Sequence, residues 1–169
     1  MKKRLTLVVV FGLFITSNAF AGSGSAYLPH FFSEYHSSGQ KRPVIYLTNI
    51  TGSAVDVTVT FFKHDGTVLT ETDTTDNYNG GIIRGSSNAT GYKDYTAPTG
   101  TTVVFTIPAG QQSTTYIEIG TINTVHQGYA LIEWKQTGNN LVALIAEAAE
   151  YDSAKNDRSY HAINNGLPF

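Results

Sequence analysis

Residues 55–61 read Val-Asp-Val-Thr-Val-Thr-Phe, and no other stretch of the chain limits its fold as tightly. Successive side chains of a β-strand point to opposite faces of the sheet. This spelling therefore sets Val55, Val57, Val59 and Phe61 on a dry face and Asp56, Thr58 and Thr60 on a wet one. β-Branched residues at alternate positions also resist helix, because they lose χ1 freedom against the preceding turn. His64-Asp65-Gly66-Thr67 then supplies a hairpin turn in which Gly66 can take positive φ, and residues 68–72 form the returning strand.

The same signature recurs at residues 27–35, 44–49, 102–107, 113–119 and 129–134, separated by Pro108-Ala109-Gly110, Gly120 and Gly138-Asn139-Asn140. Pro29 cannot donate to a ladder, so it places its strand on an edge or marks the strand's start. Residues 141–151 carry two patterns. Leu141, Leu144, Ile145 and Ala148 fall at helical spacing, while Val142, Leu144, Ala146 and Ala148 alternate. Strand is preferred, because a lone helix fits poorly among strands and turns. The spacing predicts an all-β fold: a two-sheet antiparallel β-sandwich, Greek-key or jelly-roll-like, of about seven to nine strands. Trp134, Phe61, Phe105 and Tyr46 are expected in its core. Residues 72–100, rich in Thr, Asn, Asp, Gly and Ser and broken only by Ile82-Ile83, read as one long polar loop.

Ahead of this domain, Lys2, Lys3 and Arg4 precede an apolar run from Leu5 to Ile15, and Ala19-Phe20-Ala21 follows as a small-x-small cleavage site. Residues 1–21 are thus expected to be a secretory signal, with residues 22–169 forming a single exported domain in the periplasm or the medium. The apolar run falls short of the roughly 20 residues a membrane span needs, so no transmembrane segment is expected in the mature chain. Gly22-Ser23-Gly24-Ser25 reads as a flexible leader. Cysteine is absent, which excludes disulfide frameworks, thiol nucleophiles and cysteine-held zinc. Loss of the signal's three cations takes the formal charge from −2 to −5, and the remaining Lys and Arg are scattered. A nucleic-acid binder needs a basic stripe, so nucleic acid is not an expected partner.

No constellation of residues points to catalysis. His30, His36, His64, His126 and His161 show no ligand spacing, and the early G-S-G-S lacks the strand-to-helix turn of a nucleophile elbow. Glu147 and Glu150 face opposite ways if their segment is a strand. Residues 73–81 are rich in oxygen ligands, but Tyr78 and Arg84 stand where an EF-hand needs Gly and Glu. No metal or cofactor is expected. Asn49-Ile50-Thr51 and Asn88-Ala89-Thr90 match glycosylation sequons, but the signal is of bacterial type and Asn49 reads as a turn residue. Tyr78, Tyr92 and Tyr95, with Asp94, fall in the polar loop, where tyrosines offer rigid amphipathic platforms to a sugar or a protein. These four are the candidate binding residues.

The cadence of residues 46–62, with Asp65-Gly66 behind it, followed by Phe105-Thr106-Ile107-Pro108-Ala109-Gly110 and a terminal Asn165-Gly166-Leu167-Pro168-Phe169, resembles small secreted β-sandwich proteins of Gram-negative bacteria. Over residues 27–151 it is also similar to the β-domain of the sensory rhodopsin transducer family. This chain departs from the transducers in carrying an export signal; the resemblance implies a fold and a compartment, and no site. The function expected is a non-catalytic binding or interaction module of the bacterial envelope or exterior, its partner a carbohydrate or a protein. A structural subunit of a surface assembly, adding residues 159–169 or an edge strand to a neighbour's sheet, is the alternative. A hydrolase working through carboxylates comes third.

Overall fold

The computed structural model describes residues 21–69, 83–87, 103–117 and 124–169. The nine described strands are β1 (Ala21–His36), β2 (Gly39–Asn49), β3 (Val55–Lys63), β4 (Ile83–Ser87), β5 (Val103–Ile107), β6 (Gln112–Ile117), β7 (Thr124–Thr137), β8 (Leu144–Asp152) and β9 (Asp157–Ala162). A single 3-10 turn, Ile163–Gly166, follows them. The fold is all-β, as the alternation requires. Every pairing is antiparallel, along the path β4-β6-β2-β1-β7-β3-β5, with β8 added to β2 and β9 added to β8. The two ends of the path, β4 and β5, lie beside each other, so the sheet curls.

β3 shows how spelling becomes packing. Val55, Val57, Val59 and Phe61 are fully buried while Asp56 is exposed, as the alternation predicts. Thr60 is buried as well. On the outer face Asp56 sits opposite Lys135 of β7 and accepts a 2.7 Å hydrogen bond from Thr106 of β5, a favourable cross-strand pairing. β7 sends Ala130, Ile132 and Trp134 inward, and Phe61 meets Phe31 edge-on at 5.5 Å. β8 is a strand and not a helix, contributing Leu144, Ala146 and Ala148 to the same core. Ile163 and Phe169 close it, the Phe169 backbone exchanging hydrogen bonds with Leu144 at 2.9 and 3.0 Å.

The hairpin after β3 forms as expected: Lys63 N donates to Thr67 O at 2.7 Å and Gly66 adopts φ +84°. Among the described residues its return is only an isolated bridge, Phe62 to Val68, with Leu69 buried beyond it. The Asp65 carboxylate accepts the Thr67 hydroxyl at 2.6 Å and the Thr67 amide at 2.9 Å, and these bonds hold its pKa below the ordinary value. A folded-state pKa below the unfolded one gives stability that is present above the ordinary carboxylate value of about 3.9 and lost as pH falls through the folded value. The stability difference between wild type and Asp65→Ala, measured by urea unfolding, should therefore shrink between pH 7 and about pH 2. A difference indifferent to pH rules out this role.

Several expectations need correction. Residues 22–25 are not a flexible leader: they belong to β1, with Gly22 opposite Gln136 and Ser25 opposite Glu133. β1 therefore begins well before Pro29, which sits in the register shift between Leu28 and Phe31, a bulge, where proline is tolerated. β4 runs inside the stretch expected to be loop. β9 was not anticipated. Phe61, Phe105 and Trp134 are buried as expected, but Tyr46 is not in the core.

Candidate functional site

β2 carries the site because one of its faces is buried and the other is turned out. Pro43, Ile45, Leu47 and Asn49 are buried, so Arg42, Val44, Tyr46 and Thr48 turn outward. Register then gathers residues from neighbouring strands onto that outer face. Tyr151 of β8 stands opposite Arg42, Arg158 of β9 opposite Tyr151, and Tyr116 of β6 opposite Val44. Arg42, Val44, Tyr46, Thr114, Tyr116, Tyr151 and Arg158 line a shallow concavity of about 280 Å³.

Within it rings and guanidinium groups alternate. The Arg42 guanidinium lies 5.0 Å from the Tyr116 ring centre and 5.3 Å from that of Tyr151, and Arg158 lies 5.2 Å from Tyr151. The order across four strands is Tyr116, Arg42, Tyr151, Arg158. Each such contact contributes about 0.5–1 kcal/mol at an exposed site, and stacking leaves the Arg158 N–H groups in the guanidinium plane able to donate. Arg158 also donates to the Tyr46 hydroxyl at 3.5 Å. A hydrogen bond to Tyr160, with the nearby Tyr46, raises its pKa and keeps it charged. Among the described residues no carboxylate pairs with Arg158. Asp157 accepts the Arg158 backbone N–H at 2.8 Å, Asp152 engages Lys155 at 3.9 Å, and Glu147 shares the outer face opposite Tyr46 but does not line the concavity. The Arg158 guanidinium can hold an anionic group beside a tyrosine ring able to support a flat ring.

A second aromatic cluster lies on the outer face of β1, β3 and β7, where Phe62 stacks on Tyr129 at 4.7 Å and Tyr27 lies 6.4 Å from Tyr129. Glu147 and Glu150 lie on opposite faces of β8, and no group of three His, Asp or Glu side chains placed to hold a metal occurs among the described residues. No described helix is long and apolar enough to cross a membrane. Tyr78, Tyr92, Asp94 and Tyr95 lie outside the described residues. The Arg–Tyr concavity was not anticipated; the only sign of it in the sequence is Arg42, Val44 and Tyr46 alternating with Pro43, Ile45 and Leu47. Compared with known proteins, the chain matches no family model, no curated protein and no solved structure.

Proposed function

We propose that this chain is an exported, non-catalytic binding module of the bacterial envelope or exterior. It takes an acidic carbohydrate in the concavity lined by Arg42, Tyr46, Tyr116, Tyr151 and Arg158. The observation that carries this reading is the stack in which Arg158, without a carboxylate partner among the described residues, flanks the Tyr151 ring. The guanidinium meets the acid group and the tyrosines support the sugar ring, while the Thr114 hydroxyl is placed to hydrogen-bond it. The scaffold we infer is a two-sheet sandwich, with β4, β6, β2, β8 and β9 in one layer and β1, β7, β3 and β5 in the other. Its support is a single core cluster drawn from both groups of strands. Removal of residues 1–21 would leave the β1–β7 ladder in place from Gly22 onward.

Affinity electrophoresis in gels containing polygalacturonate or neutral dextran tests this. The wild-type chain should be retarded by the acidic polymer alone, and less so as salt rises. Arg158→Ala should weaken retardation about tenfold, the effect of losing one charge-assisted hydrogen bond. Tyr151→Ala should act similarly, because it removes both the platform and the support of two guanidinium groups. Equal retardation in dextran, or an unchanged Arg158→Ala variant, defeats the reading.

A further inference from the structure

β9 ends the ladder. Among the described residues its only strand partner is β8, and all six of its side chains are exposed. Edge strands are ordinarily blunted by charge because they template pairing with another chain. β9 carries one acid, Asp157, and two basic side chains, Arg158 and His161. Their order makes the edge complementary to itself.

Opposed residues of an antiparallel pair share a face, so pairing of β9 with the same edge of β9 in a second copy allows two registers that match five of its six residues. Centring on Tyr160 leaves Asp157 without a partner and sets Arg158 against Ala162. Centring on Ser159 sets Asp157 opposite the second copy's His161, an acceptor against a ring N–H, and Arg158 opposite its Tyr160, each pair occurring twice. In this last register Arg158 and Tyr160 keep the face they share with Tyr151. The alternating row of Arg42, Tyr151 and Arg158 would then run on into a tyrosine of the other copy.

We propose that two copies of this chain pair through their β9 edges, antiparallel and centred on Ser159, joining their sheets and bringing both Arg–Tyr faces onto one surface. This inference is independent of the ligand, since the pairing needs only the edge strand, and it is tested with no carbohydrate present. An interface of five residue pairs is small, so association is expected to be weak and to rise with concentration.

The chain has no native cysteine, which makes cross-linking clean. Opposed Cα atoms in an antiparallel pair lie about 4.5–5.5 Å apart, inside the range a disulfide spans. Ser159→Cys, oxidised at high concentration, should therefore give a covalent dimer, while Tyr160→Cys, whose opposite residue is Arg158, should give none. Sedimentation equilibrium on the wild-type chain should show mass rising toward the dimer with concentration. Asp157→Lys should weaken this at least about tenfold, and the exchange Asp157→His with His161→Asp should restore it. A wild-type chain that stays monomeric at several hundred micromolar overturns the proposal, whether the edge is left to water or to a strand of another protein. Cross-linking through Tyr160→Cys in place of Ser159→Cys overturns the register.

Discussion

Gly128→Ala should lower stability by at least about 3 kcal/mol, which for a domain of this size is a fall in Tm of roughly 10 °C. The reason is local and steric. Gly128 of β7 stands opposite Lys63 of β3 and Phe31 of β1, where β1 resumes pairing after its bulge. A Cβ there would run into the Phe62 carbonyl oxygen and lie 2.8 Å from its carbon. Both are backbone atoms in a ladder, so no rotamer change relieves the clash. The end of the β3–β7 pairing must open instead, disturbing the neighbouring Phe62–Tyr129 stack. Gly52→Ala is the matched control, because nothing lies within 4 Å of its added carbon and its φ is ordinary; it should stay within about 0.5 kcal/mol of wild type. A Gly128→Ala chain melting within 2 °C of wild type would show that the strands do not approach this closely.

What the sequence disclosed, and what it withheld, follows from burial. β3 was legible because one face is dry and the other wet, and a one-sided environment writes itself as period two. β9 left no such trace: an edge strand exposed at every position has no face to distinguish. The start of β1 was hidden for a different reason. Gly22-Ser23-Gly24-Ser25 reads as loop, yet Gly24 pairs with Trp134, and a Cβ on it would come within 2.6 Å of the indole nitrogen. The glycine there makes room for a core side chain; it does not confer freedom.

The concavity was illegible for yet another reason. Arg42 and Arg158 are remote in sequence and meet only through the β2–β8–β9 register. In residues 44–47, Val-Ile-Tyr-Leu, every side chain is apolar or aromatic, so spelling alone could not say that Tyr46 faces out. The buried Pro43 and Asn49, sharing parity with Ile45 and Leu47, fix that orientation once the strand's ends are known. Asn49 itself was readable as a turn residue. Its reach across the fold was not.

That reach makes Asn49→Ala the other large effect, about 3 kcal/mol. Asn49 is fully buried at the end of β2. Its amide donates to the carbonyls of Ser53, Ile107 and Pro108 at 2.7, 3.0 and 3.1 Å, and its Oδ1 accepts the Thr51 amide and hydroxyl at 2.9 and 2.8 Å. One side chain thus ties the β2–β3 turn to the β5–β6 turn. Alanine would take this donor from the buried Ile107 carbonyl and this acceptor from the Thr51 amide, each loss costing about 1–3 kcal/mol, while the Ser53 and Pro108 carbonyls keep other donors. Gln136 of β7 bonds into the same group, donating to the Thr51 hydroxyl at 2.6 Å and the Ser53 carbonyl at 2.9 Å, while Asn140 donates to its Oε1 at 2.6 Å. Because Asn49 and Gln136 share Thr51 and Ser53, losses in a double-mutant cycle with Gln136→Ala should fall short of additive by about 1 kcal/mol. Urea unfolding of the four chains measures both quantities. Additive losses, or a single Asn49→Ala cost below about 1 kcal/mol, would mean that the turns are held by their flanking strands and not by this side chain.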